Sequence, residues 1–280
     1  MNINEVKIVA DSSADLPMIT DVAFSSAPLK IVTAEKEYID DSTLDVESMV
    51  NDLANYNGKS STACPAPEDW ISSFEGAKYV FCVTITSNLS GTYNTACIAK
   101  QTYEEKNPDC KVCVFDTLST GPEMVLIIEK IKECVLKGLG FDETCDTIVE
   151  YMKHTRLLFM LESMKNLANN GRVKPIVAKA AGLLGIRVVG KASDIGTLEV
   201  LEKNRGEKKA LAALVENMKK MGFKNGKVKI GHCFNENAAN TLKALIESEF
   251  GKIETKIYRL HGLCSFYAEK GGLLLGFEVK

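Results

Sequence analysis

Residues 78–96 read KYVFCVTITSNLSGTYNTA. Tyr79–Ile85 is an almost unbroken apolar run carrying Val, Phe and Ile. Such a run marks a strand buried on both faces, as in a parallel sheet. It ends in hydroxyls, at Thr84, Thr86, Ser87, Ser90 and Thr92, and a helical pattern follows over Tyr93–Lys106. The spacing makes Ser90 the expected N-cap, and Gly91 leaves the turn without a side chain to block close approach. The first amides of a helix lack internal partners and carry partial positive charge, so this turn suits an anion or a carboxyl group.

One such cap, met alone, usually binds nothing. Here the arrangement repeats. Val6–Ala10 is a short apolar strand that stops at Asp11-Ser12-Ser13. Lys111–Phe115 is another, ending in Asp116-Thr117, and Ser119-Thr120-Gly121-Pro122 leads into a helix over Glu123–Lys137. In a doubly wound parallel sheet all these strand ends lie along one edge, where ligands sit. Between them, Ala27–Val32 reads as a strand and Leu44–Tyr56 as a helix. Ser60–Pro67 reads as an extended segment, because its two prolines forbid helix interior, and it carries Thr62. Glu68–Phe74 follows as a helix with Pro67 in its first turn, and Phe141–His154 as a later one.

The style changes near His154. Leu157–Leu161 reads as a strand, Glu162–Asn170 as a short helix ended by Gly171, and Ile176–Leu184 as an apolar helix. Ile186–Val189 and Thr197–Leu201 read as a hairpin. Arg205 opens a charged helix to Met221. Strands over Lys227–Cys233 and Lys256–Leu260 flank a helix over Asn235–Glu249, and the chain closes on Gly272–Val279. Strands and helices in this mixed order predict a mixed sheet. The expected architecture is α/β in two domains. Residues 1–155 hold a parallel sheet flanked by helices, and residues 156–280 form a mixed-sheet α/β domain.

Composition narrows the function. The 280 residues are 45% hydrophobic and 25% charged, with a net charge of 34 − 37 = −3. No basic tract interleaved with aromatics is present, which argues against nucleic acid. No apolar run reaches the ~18 residues of a membrane span, and Met1–Val6 is too polar for a signal peptide. Nine cysteines, an odd number placed at apolar positions, fit reduced thiols in a cytoplasm. Cys110-Lys-Val-Cys113 enters a strand pattern instead of opening a helix, so it reads as packing. Three histidines without ligand spacing give no zinc site, and neither phosphate-loop motif is present. A Ser–His–Asp enzyme would have to assemble from Ser87 or Ser90, His261, and Asp11 or Asp116, yet nothing in the spacing puts a base beside either serine.

Several of these segments together resemble one family. Asp11-Ser-Ser-Ala-Asp-Leu-Pro17, Pro28-Leu29 with Tyr38-Ile39-Asp40, Thr62 before Pro65, and Thr86-Ser-Asn-Leu-Ser-Gly-Thr-Tyr93 are similar to the DegV family of bacterial fatty-acid-binding proteins. Leu167–Arg172 resembles its Gly-Gly-Arg segment, and Arg205 before Lys208-Lys209-Ala210 its basic helix start. The resemblance implies a non-enzymatic carrier without a cofactor. One long-chain fatty acid would lie between the domains and be presented to a partner fatty acid kinase for phospholipid synthesis. It places Thr62, Ser87, Ser90, Gly91, Thr92 and His261 at the carboxyl end, and makes Arg172 and Arg205 candidate docking residues. His261 equally fits a plain strand-end cap, and both arginines equally fit solvated surface charges. Asn170 stands where the family has a second Gly, Arg187-Val188 where it has Lys-Pro, and His261-Gly-Leu-Cys-Ser265 lacks the usual proline. Two rivals remain: an enzyme acting on a small anionic or phosphorylated metabolite at the same edge, and a regulatory module with no small ligand.

Overall fold

The structure is a computed structural model and describes residues 1–176, 178 and 185–279. Much of the helix expected over Ile176–Leu184 lies outside the described residues. The first sheet contains β1 (Val6–Asp11), β2 (Ala23–Ala27), β6 (Tyr79–Thr84) and β7 (Lys111–Asp116) in the order β2-β1-β6-β7, all parallel. The chain leaves β1 to one side for β2 and later returns to the other side for β6. The strand order therefore reverses between β1 and β6, the position at which open α/β sheets bind ligands. As expected for a doubly covered strand, Val80 through Thr84 are all buried.

The expected strand over Ala27–Val32 divides. Ala23–Ala27 joins the parallel sheet. Lys30–Val32 is β3, which lies between β4 (Glu37–Ile39) and β5 (Ser61–Ala63) in a small antiparallel sheet. This sheet pairs Ile31 with Thr62 and so fixes the extended segment that the two prolines announce. The helices of this half are α1 (Val46–Asn55), α2 (Pro67–Phe74), α3 (Thr92–Lys106), α4 (Pro122–Leu136) and α5 (Phe141–Met152).

The second large sheet is mixed. It contains β8 (Thr155–Leu161), β9 (Ile186–Ala192), β10 (Leu198–Arg205), β11 (Val228–His232), β12 (Thr255–Arg259) and β13 (Leu273–Glu278), in the order β10-β9-β8-β13-β11-β12. Among the described residues, its helices are α6 (Lys165–Asn169), α7 (Glu207–Lys220), α8 (Glu236–Phe250) and α9 (Gly262–Ala268). Alternation along β8 splits its side chains between two cores. Leu158 and Met160 join one cluster with α7 and α8, while Leu157, Phe159 and Leu161 face the other way. Arg205 does not start a helix. It ends β10, exposed, and Gly206 at φ +87° makes the turn into α7.

α9 is absent from the reading of the sequence. It begins directly after His261, where Gly262 allows the Asp40 carboxylate and Leu44 to approach the backbone too closely for a Cβ.

Candidate functional site

The C-terminal ends of β1, β6 and β7 are tied together by their own polar groups. Asp11 accepts hydrogen bonds from the amides of Ser13 (2.9 Å) and Ile85 (2.6 Å), and from the Ser13 hydroxyl. The amides of Ser87 (3.0 Å) and Leu118 (3.2 Å) donate to Asp116, and the Thr117 hydroxyl donates to the Thr84 carbonyl at 2.8 Å. Thr86 donates to the Gly196 carbonyl (2.9 Å) and the Asn88 amide side chain to the Ile195 carbonyl (2.7 Å), so the β9–β10 hairpin clasps the turn from the other half of the chain. Many donors that looked ready for an anion are therefore spent on joining the turns. Burial raises the Asp11 carboxyl to about 6.

An apolar cavity opens beside this edge, between the mixed sheet and the turns that follow β6 and β7. Leu157, Phe159 and Leu161 of β8 and Leu274 of β13 line it, together with Ile85 and Leu263. Its polar lining is concentrated around Thr62, Ser90, Arg172 and Tyr267. The Thr62 and Tyr267 hydroxyls are 2.8 Å apart. The Arg172 guanidinium lies 5.8 Å from the Tyr267 ring centroid, and its Nε donates to the carbonyl of Leu89 at 3.1 Å, next to Ser90. Asn170, in place of a glycine, donates to the Ser60 carbonyl at 3.2 Å and so secures the segment that carries Thr62. Burial raises the Tyr267 phenol above its usual range, which keeps it a donor.

The expected site residues separate into three groups. Thr62 and Ser90 line the cavity, and so does Arg172, read from the sequence as a docking or surface charge. Ser90 does not cap α3 as a true N-cap residue; Gly91 holds that position, and its φ of −73° is one that any residue adopts. The Ser90 hydroxyl instead pairs with the Thr92 hydroxyl at 2.7 Å and accepts from the Thr92 amide at 3.3 Å. Thr92 is thus a buried support behind Ser90, and Ser87 is held to Asp116. His261 faces a separate polar pocket with Ser12, Asp40 and Asp41, and its Nδ1 engages the Asp40 carboxylate. That contact raises the His261 pKa, against the effect of burial. Arg205 is not among the lining residues and is exposed on β10.

Sequence reasoning missed Tyr267, since a tyrosine in FYAEKGG carries no motif. It also missed the buried carboxylates Asp15 and Asp40. Asp15 sits at φ +55° and accepts from the His261 amide at 2.7 Å, and burial raises it to about 8.

The sequence model described as "Uncharacterised protein, DegV family" matches residues 5–278. A DegV domain-containing protein of Streptococcus pneumoniae is 42% identical over 277 residues, covering 98% of this chain and 99% of that one. Among solved structures, a DegV family protein from Eubacterium eligens loaded with heptadecanoic acid is 41% identical with a TM-score of 0.97, covering 98% of this chain and 100% of its own. The fatty acid kinase (Fak) B3 protein of Streptococcus pneumoniae, loaded with linoleic acid, is 41% identical with a TM-score of 0.96, covering 98% and 99%. A whole-length family match and near-superposable folds agree with the motifs from Asp11 to Tyr93: this chain belongs to the DegV family.

Proposed function

We propose that this protein is a carrier that holds one long-chain fatty acid in the apolar cavity, with its carboxyl group at Thr62 and Ser90. The observation that carries the reading is the chemistry of the lining: hydrocarbon walls on β8 and β13 with hydroxyls and a guanidinium gathered at one place. The tail supplies affinity, at about 0.8 kcal/mol per buried methylene. The head group needs only orientation. When Tyr267 donates to Thr62 and Thr92 donates to Ser90, both of the latter hydroxyl protons point at a carboxylate. Arg172 adds an always-charged partner beside them.

A carboxyl held by two hydroxyls and a guanidinium, with no base positioned against those hydroxyls among the described residues, is presented and not transformed. This supports a carrier that offers the acid to a partner fatty acid kinase, as the name of the relative from Streptococcus pneumoniae suggests. On this reading the chain works as two units that meet near residue 155, with the acyl chain between them. Cavity walls drawn from the mixed sheet and from the turns that follow β2, β6 and β7 support that division.

Replacing both anchors tests the reading. Thr62→Ala with Ser90→Ala removes two hydrogen bonds worth about 1 kcal/mol each. Affinity for a long-chain fatty acid should fall roughly tenfold or more. Unchanged affinity in the double variant puts the carboxyl group elsewhere.

A further inference from the structure

Among the described residues, the cavity wall has two further polar side chains besides Thr62, Ser90, Arg172 and Tyr267: Thr120 and Cys264. Their Oγ1 and Sγ atoms are 3.6 Å apart. Sulfur is a poor partner in both directions. The Cys264 thiol proton is already directed to the Ser13 carbonyl at 3.3 Å. The Thr120 hydroxyl is therefore left with a weak acceptor for its proton. Thr120 shares the cavity lining with Leu157, Leu263 and Leu274.

Behind this pair lies an unmet polar group. Among the described residues, Oδ2 of Asp15, a residue that is 6% exposed, has no hydrogen-bond partner. It and Cys264 Sγ are both close neighbours of Gly121, where a Cβ would lie 3.4 Å and 3.6 Å from them. A wall built for plain hydrocarbon would gain by carrying valine and alanine at these places, because a hydroxyl without a full partner costs free energy when buried. Cys264 and Tyr267 stand three residues apart on one face of α9, so this polar spot lies about one helical turn along the channel from the Thr62–Tyr267 pair.

We propose that Thr120, backed by Cys264, is a second polar subsite that recognises a hydroxyl group on the acyl chain, so that the preferred ligands are hydroxylated fatty acids. The inference rests on the carrier reading above and names its ligand class. A ligand hydroxyl either donates to a lone pair of Thr120 or accepts its proton, and the one hydrogen bond gives the threonine the full-strength partner that sulfur does not.

The test is a binding comparison of the full chain with stearic acid, oleic acid and a positional series of monohydroxystearic acids. Wild type should favour the isomers hydroxylated at one or two adjacent positions by roughly three- to tenfold over stearic acid, the worth of one neutral hydrogen bond. The ratio should fall to unity in Thr120→Val and persist in Thr120→Ser, which restores the hydroxyl. A flat profile in wild type overturns the subsite while leaving the carrier intact, and so does a preference that survives in Thr120→Val. A Thr120-dependent preference for oleic acid alone also overturns it, since the subsite would then read a double bond. Failure of every acid to bind overturns the carrier reading and the subsite together.

Discussion

Asp40 caps a helix that begins 222 residues later in the chain. Its carboxylate holds Nδ1 of His261 and accepts from the amides of Gly262 (2.8 Å) and Leu263 (2.9 Å), two of the orphan donors at the start of α9. No side chain at the His261 N-cap does this locally. Since α9 carries Leu263, Cys264 and Tyr267 into the cavity wall, the bond between the two halves of the chain also shapes the site. Asp40→Ala should destabilise the fold by about 3–5 kcal/mol, as for breaking a buried pair, and should speed fatty-acid release. Asp40→Asn keeps acceptor oxygen and should lose less of both. Urea unfolding and ligand off-rates check this, and wild-type values in Asp40→Ala would contradict it.

Asp15 makes stability depend on pH. Burial raises its carboxyl from 3.8 to about 8, so the folded chain favours the protonated acid. A folded pKa above the unfolded one gives a contribution that is complete below about pH 4 and lost as pH rises to about 8. Asp15→Asn removes the titration and keeps an oxygen to accept from the His261 amide. The difference in unfolding free energy should therefore move in favour of the variant between pH 4 and pH 8. Denaturant titrations across that range give the answer, and parallel pH profiles would contradict the assignment.

The clasp between hairpin and turn has little tolerance. Gly196 sits at φ +74°, and a Cβ there would run into the Thr86 side chain and reach 2.9 Å from the Leu118 Cα. Gly196→Ala should cost about 1–3 kcal/mol in strain and displacement. It should also weaken fatty-acid retention, because Thr86 and Asn88 carry the turn that places Ser90. Thermal unfolding together with a retention assay separates the two effects; a destabilised variant that retains ligand normally would limit the clasp to stability.

Tyr267→Phe keeps the ring beside Arg172 and removes the hydroxyl that orients Thr62. Affinity should fall by about 0.5–1.5 kcal/mol, with little change in stability. Titration with a long-chain fatty acid measures it, and equal affinities would show that Thr62 needs no partner.

An apolar run was enough to find β1, β6 and β7: β1 and β6 are buried on both faces, and β7, though an edge strand with Cys113 and Val114 half-buried, carries the same kind of run. The prolines beside Thr62 marked its extended segment for a similar reason. What could not be read locally depends on distant partners. Ala23–Ala27 became the edge strand of the parallel sheet only through pairing with β1, and its AFSSA sequence has no apolar run to announce it. α9 is a seven-residue helix whose cap comes from Asp40, so no capping signal precedes it. Arg172 was legible as a motif residue but not as a cavity residue, since its place beside Tyr267 follows from how α6 and α9 meet. The apolar lining was silent for a simpler reason: a leucine that faces a ligand is spelled like one that faces another leucine.

The most direct measurement is to denature the protein as purified from cells and identify by mass spectrometry what it releases. The carrier account predicts one long-chain fatty acid per chain, with hydroxylated acids enriched over their share of cellular lipid. Release of a sugar phosphate or a nucleotide, or of no small molecule at all, would contradict it.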